Sequence, residues 1–428
     1  MNLHSLLRSL AHRNYRLYFA GQGASLIGTW MQQVAMSWLV FQITGSSFQL
    51  GVVLFANQIP ALFLSPVAGA LADRWDRHRV LLWTQTLAMT QAFLLALLTW
   101  TGHIDVWQLI LLSLFLGIVN TFDMTTRQAF LSEMVTHRAD LGNAIALNSL
   151  IVNGARLLGP TLAGILLART SAEVCFLLNG LSYLAVLLAL WAMRLEGARR
   201  ERPTAPLWQG LRDGFRYVRE FAPIRTLLLL LGLASMAGTS YRVLLPEFTV
   251  RWLGGDARTL AFLTAASGLG ALTGAVFLAA RKSVLGLDRW ILLALTLLGL
   301  GLLAFVGVAD FTLALLLLFT IGFGMMVEMA ASNTLVQTLV AEDKRGRVMS
   351  FYTMAFLGMA PLGSLLTGVL AAWLGLPLTF LINGLLCLAG AALFGLSLPR
   401  MRVLVRPIYI RLNILPPLAI GADEVNSK

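Results

Sequence analysis

Residues 50–100 read "LGVVLFANQIPALFLSPVAGALADRWDRHRVLLWTQTLAMTQAFLLALLTW". Two apolar runs flank an island that packs Asp73, Arg74, Asp76, Arg77, His78 and Arg79 together, in a chain only 12% charged. A helix crosses the hydrocarbon core of a bilayer with about 20 apolar residues, and each run supplies that many. Neither run alternates with period two, so barrel strands are excluded. The island reads as a tight polar turn between two membrane helices.

The same alternation of long apolar run and polar turn continues in both directions. Of 428 residues 58% are hydrophobic, and the mean hydropathy is +0.77. So few polar residues cannot coat a soluble protein of this size, and most of the surface must face lipid. Turn and charge punctuation divides the chain into twelve segments. The first six fall at about 15–43, 48–72, 79–101, 105–127, 140–168 and 173–194. The second six fall at about 223–250, 257–281, 289–308, 310–338, 347–373 and 376–397. The expected fold is an all-α membrane protein with a six-helix half over 1–194, a linker over 195–222, a second half over 223–398 and a tail over 399–428. The linker, within "RLEGARRERPTAPLWQGLRDGFRYVREFAP", is basic, bears proline and is partly helical in pattern.

Charge distribution orients these segments. Of 32 Lys and Arg, only Arg169, Arg251 and Arg258 fall in odd-numbered loops, and Arg156 and Arg242 fall inside segments. The rest lie in the tails, the even loops and the linker, or at segment ends beside them. Basic residues stay on the cytoplasmic side, so both termini are expected there, in a multi-pass inner-membrane protein. A net charge of +12 would suggest nucleic acid in a soluble chain, but here it is spent on orientation, and no nucleic acid is expected. The opening "MNLHSLLRSLAHRNYRLYF" lacks a compact apolar stretch followed by a small-residue cleavage site, so the first helix is expected to stay. Cys175 and Cys387 lie in different segments without metal or redox spacing and read as core residues; neither metal nor cofactor is expected.

The chain also repeats itself. "GPTLAGILLARTSAEVCFLLNGLSYLA" from Gly159 aligns without gaps with "GSLLTGVLAAWLGLPLTFLINGLLCLA" from Gly363, matching Asn179 to Asn383 and Gly180 to Gly384. Upstream, "GIVNTFDM" from Gly117 aligns with "GFGMMVEM" from Gly322 and sets Asp123 opposite Glu328. Two parallel six-helix halves related by an axis along the membrane normal form a transporter architecture, with substrate held between the halves near the midplane.

The turn at residues 69–80 now gains a second meaning. Loop solubility accounts for Arg77 and Arg79, but not for Gly69 and Asp73 one helical turn apart, followed at once by Arg74. Here the chain resembles the major facilitator superfamily, whose signature between helices 2 and 3 is G-x-L-x-D-R-x-G-R-R/K. Gly69, Leu71, Asp73, Arg74 and Arg77 match; Asp76 replaces the second glycine and His78 the last basic residue. The resemblance implies a conformational latch of Gly69, Asp73, Arg74, Arg77 and Asp123 against the start of the eleventh helix, in "DKRGRV", where Arg345 lies. In the fifth segment, Ala155, Gly159, Pro160 and Gly164 occupy small-residue positions of the superfamily's antiporter motif, with alanine at several glycine sites. Tight helix packing is the competing reading of those positions. Within the superfamily the resemblance is to the branch of enterobactin exporters and drug-efflux proteins. It runs through "NYRLYFAGQGASLIGTWMQQVAMSWLVFQITGSS" and "RGRVMSFYTMAFLGMAPLGSLLTG".

Export of a small molecule, such as a siderophore, drug or related metabolite, by alternating access is therefore the expectation, from a monomer in the lipid bilayer. Lipid or lysophospholipid flipping, import, or a non-transporting sensor on the same fold are the alternatives. Polar groups at lipid depth face the bundle interior or a wet cavity. Gln32, Gln33, Asn57, Gln58, Asn148, Arg156, Tyr241 and Arg242 are accordingly expected to line the substrate cavity. The two arginines would favour an anionic or acceptor-rich cargo, with pairing of Arg242 to Glu247 as the competing arrangement. Coupling to protons needs a titratable carboxyl, and Asp123, Glu247 and Glu328 are the candidates. No nucleophile–base pair or nucleotide loop stands at lipid depth, so an enzyme is not expected.

Overall fold

The structure, a computed structural model, describes residues 8–72, 74–135, 140–194, 207–281, 283–341 and 344–416. The first six long helices are α1 (Arg13–Thr44), α2 (Ser47–Ala72), α3 (Arg77–Trp100), α4 (Val106–Phe130), α5 (Leu141–Leu167) and α6 (Ala172–Trp191). A short amphipathic helix, α7 (Leu207–Glu220), comes next. The second set is α8 (Ala222–Arg251), α9 (Ala257–Ala279), α10 (Leu287–Ala304), α11 (Phe311–Leu339) and α12 (Arg345–Arg411). Among the described residues there is no strand, and 10 helices are long and apolar enough to cross a membrane. α1 has the length but is more polar, and α12 is two arms broken at Gly375, which sits at φ 77°.

Loop acids explain several boundaries. Asp76 accepts a hydrogen bond from the Arg79 amide at 3.1 Å and starts α3; Asp105 closes a capping box with Gln108 and starts α4. Asp256 closes a capping box with Thr259 at α9, and Asp310 accepts from the Leu313 amide at the start of α11. The Thr259 amide that donates to Asp256 also holds that carboxyl below its ordinary range. α8 is interrupted by a π turn, Ala234–Gly238, just before Tyr241 and Arg242. An extra residue in one turn rotates every later side chain around the helix axis.

The last helix corrects the expected tail. Instead of stopping near residue 397, α12 continues through Pro399 and Pro407 to Arg411. Met401 and Val405 remain buried, and Arg402 pairs with Asp288 at 2.7 Å, so one face of the extension still packs on the bundle. Residues 417–428 lie outside the described residues. The linker helix α7 rests on the start of α12: Gly214 lies against Phe351 and Arg347, the Phe215 and Phe351 rings are 6.2 Å apart, and Lys344 Nζ lies 4.6 Å from the Tyr217 ring centre.

Packing repeats across the two sets. In the first, α1 packs on α5 and α6, α2 on α4, and α3 on α4 and α6; in the second, α8 packs on α12, α9 on α11, and α10 on α11 and α12. Single glycines carry the correspondence. A methyl group added at Gly117 would strike the Asn57 carbonyl of α2; one added at Gly322 would strike the Ser267 carbonyl of α9. Gly180 meets Phe93 on α3, and Gly384 meets Gly299 and Leu303 on α10. Small residues at these crossings let backbones touch, which is the packing force available between helices in lipid. Gly117→Ala and Gly322→Ala should each destabilise by about 1–3 kcal/mol through overpacking. Thermal unfolding in detergent reads this, with similar losses expected from both; a loss from one alone would break the correspondence.

Candidate functional site

Among the described residues, two helix pairs join the halves extensively, α2 with α12 and α5 with α9. Glycines mark how far each pair stays in contact. Near the loops at residues 45–46 and 252–256, methyl groups added at Gly51, Gly164 and Gly368 would meet the Ser364 carbonyl, Ala261 and the Phe48 backbone. Farther along, Gly358 meets Leu62, and Gly268 meets the Arg156 carbonyl. Beyond that depth Gly142, Gly154 and Gly346 face open space, and Gly69 meets only Thr125 of its own half. Phe63, Ile145, Leu150, Val276 and Met354 are exposed on the same stretches. The halves thus form a V whose vertex lies at Arg156 and Gly268, closed on the loop 45–46 side and open toward the termini.

The vertex carries charge. Arg156 and Arg242 both lie over the Trp30 ring, with their guanidinium carbons 5.1 and 5.8 Å from its centre. Arg156 and Trp30 belong to the first half and Arg242 to the second. All three are half-buried. Neither arginine makes an ion pair or side-chain hydrogen bond among the described residues, and Arg156 Nε is fully enclosed without a partner. Gly159 brings α5 onto the α1 backbone at Ile27 and the Trp30 Cβ. Gly164 brings α5 onto α9 at Ala261, while Ala155 and Pro160 are buried in the same helix. Two surface depressions lie elsewhere, one on the outer face of α3 and α4 beside Trp75 and Trp83, the other of about 650 Å³ among Tyr217, Asn333, Gln337, Arg345 and Arg411. Neither includes Arg156 or Arg242.

Glu247 closes the opposite end. It accepts a hydrogen bond from Ser47 at the start of α2 at 2.5 Å and pairs with Arg251 at 2.8 Å. It therefore does not pair with Arg242. Glu328 is fully buried; Ser332 donates to one carboxyl oxygen at 3.1 Å, and the other has no partner.

Several expected cavity residues are engaged between neighbouring helices. Gln32 is buried inside the first half, donating to Gln91 at 3.1 Å and accepting from Asn179 at 2.8 Å. Asn57 donates to the Ser113 carbonyl of α4 at 3.1 Å, and Tyr241 shares a 2.6 Å hydrogen bond with Ser267 on α9. Each satisfies a polar group between neighbouring helices, where an unpaired one would be costly. Asn148 accepts from Tyr18 at 3.0 Å and is half-buried, as are Gln33 and Gln58.

The latch set is dispersed. Asp73 lies outside the described residues. Gly69 is half-buried, and Arg74 and Arg345 are exposed. Arg77 pairs with Glu133 at 2.8 Å, a residue the sequence reading missed, which shares the rim of the first half. Asp123 does not reach that rim. It is enclosed deeper in α4, held by Arg127 one turn on and by Thr84 and Gln85 of α3, the latter at 2.6 Å. Trp30 was also missed, because an aromatic in an apolar run looks like a lipid contact.

Comparison with known proteins adds the family. A family model described as "Transmembrane secretion effector" matches residues 4–406. The staphyloferrin A transporter of Staphylococcus aureus is 26% identical over 373 residues, covering 86% of this chain and 92% of that protein. The multidrug efflux pump Tap of Mycolicibacterium fortuitum is 28% identical over 382 residues, covering 87% and 92%. The enterobactin exporter EntS of Escherichia coli O1:K1 / APEC is 27% identical over 383 residues, covering 87% and 89%. Among solved structures, the nucleoside transporter NupG superposes with a TM-score of 0.69 at 14% identity, covering 90% of this chain and 98% of NupG. A bacterial homologue of the lysosomal transporter Spinster, described as inward-facing and unoccupied, superposes with a TM-score of 0.70 at 14% identity, covering 95% and 99%. The chain belongs to the transmembrane secretion effector family of major facilitator superfamily transporters.

Proposed function

We propose that this protein exports a small molecule by alternating access, and that the structure holds its inward-facing state. The observation that carries the reading is the V between the halves, sealed at one end by Glu247 and Ser47 and open at the end that bears the termini. Basic residues concentrate on the open side, which supports placing it in the cytoplasm. Counting α1 and the two arms of α12 separately brings the crossings to twelve, divided as 1–194 and 223–398. Exporters of siderophores and drugs among the relatives support the direction, and a monomer contains the whole pathway.

On the side of the termini, Arg77 pairs with Glu133 of its own half, and Arg345 stands exposed at the start of α12. The outward-facing state would bring Asp73 and its neighbours against that start. An ion pair at a wet rim needs only a few kcal/mol of differential stability to shift the balance between two states.

The test is a screen of a deletion strain for altered excretion and toxin sensitivity, followed by transport of the affected compound in proteoliposomes. Asp73→Asn should then lower the rate about tenfold, the effect of roughly 1.4 kcal/mol, with normal insertion and yield. Failure of the wild-type protein to move any solute defeats the transporter reading. Unchanged transport by Asp73→Asn defeats the latch.

A further inference from the structure

Burying one arginine at membrane depth without a carboxylate is costly; burying two beside each other needs a compensating reason. Arg156 and Arg242 are near enough to repel and lie on one indole. The carboxyl groups described along this part of the bundle have other partners: Glu247 with Ser47 and Arg251, Asp123 with Arg127 and α3. Glu328 has Ser332 for one oxygen, and the other is buried without a hydrogen-bond partner. No described carboxylate pairs with either arginine. The arginines also come from opposite halves, at the depth where the halves part.

We infer that Arg156, Trp30 and Arg242 form a binding site for an oxyanion, a carboxylate or phosphate group on the transported molecule. The inference rests on the transport reading and names the chemistry of its cargo. A guanidinium presents a planar fork of N–H donors that matches a carboxylate or phosphate, and both forks lie close to the one Trp30 ring centre, their carbons 5.1 and 5.8 Å from it. The indole face offsets part of the repulsion through its quadrupole. An oxyanion placed between the forks converts repulsion across the vertex into attraction. Cargo binding would then draw α5 and α8 together, and so favour closure of the open end. Cargo recognition and the change of access become one electrostatic event.

The experiment uses the full chain purified in detergent, with three probes: benzene-1,3,5-tricarboxylate, its uncharged trimethyl ester, and the cation ethidium. The tricarboxylate should bind and raise the unfolding temperature, weakening as salt is added, while the ester should bind at least ~10-fold more weakly. Arg156→Gln and Arg242→Gln should each lower tricarboxylate affinity about 10- to 100-fold, the range for a hydrogen bond to a charged group. If a Gln variant folds poorly, Arg156→Lys and Arg242→Lys keep the charge without the fork and should lose affinity by a smaller factor. Inorganic phosphate serves as a competitor; displacement of the tricarboxylate supports a shared oxyanion site. Equal binding of acid and ester, or unchanged affinity in all four variants, overturns the inference. Ethidium bound and moved by the wild-type protein while the tricarboxylate is ignored also overturns it, yet leaves the transport reading intact. Absence of movement of any solute in proteoliposomes would defeat that reading instead.

Discussion

Replacing Glu328 with glutamine should abolish accumulation driven by a pH gradient, down to the level of empty liposomes, while leaving exchange of cargo across the membrane without a gradient. Asp123 and Glu328 are the duplicated pair. Asp123 has Arg127 one turn along α4; the aligned position in α11 is Ser332, which gives Glu328 a hydroxyl but no cation. The groups facing Glu328 from α12 are Tyr352, whose hydroxyl donates to the Met329 carbonyl at 2.8 Å, and the buried thiol of Cys387. None is basic. An enclosed carboxyl without a cation can take up and release a proton when water reaches it in one conformation and not in the other. Asp123→Asn is the contrasting variant. It strands Arg127 and should cost about 3–5 kcal/mol of stability, as removing one partner of a buried pair does. Gradient-driven accumulation unchanged in Glu328→Gln would end this proposal.

The second large effect is expected at the sealed end. Glu247 joins α8 to the first turn of α2, where helix amides and the Ser47 hydroxyl favour negative charge. Hydrogen bonds to a charged group contribute about 1.5–3 kcal/mol, so Glu247→Ala should move the balance between conformations roughly 10- to 100-fold away from the one seen here. Spin labels at Ser46 and Gly254, one from each half on that side, should report a longer distance in the variant. Both native cysteines are buried, so labelling at introduced thiols would be selective. An unaltered distance distribution would show that glycine packing along α2–α12 and α5–α9 holds the end shut without Glu247.

Much of this architecture is legible in the residue string. Apolar runs and charged turns mark the helices, and the spacing of Gly117 with Gly322 and Gly180 with Gly384 marks the duplication that packing repeats. What stays hidden is the direction in which a side chain points. In a soluble helix, polar and apolar faces separate; in these helices lipid and core are both apolar, so position around the axis leaves little trace. Gln32 and Gln33 illustrate the difficulty: one is locked to Gln91 and Asn179, its neighbour is half-buried. Tyr241 and Arg242 depend on the π turn at Ala234–Gly238, which no motif announces. Pro399 reads as a stop, yet the helix passes it because Met401 and Val405 still find core to pack against.

The seat of α7 on the start of α12 limits how far the two halves can travel. Because Gly214, Phe215 and Tyr217 are tied to the second half, α7 belongs to that half, and the chain from residue 195 to residue 206 is the covalent connection to the first. Covalent geometry caps the span of a connection of that length at about 40 Å, at some 3.3–3.6 Å per residue. Shortening it would restrain the rocking stroke directly, whereas lengthening it would leave the stroke to the contacts at the vertex.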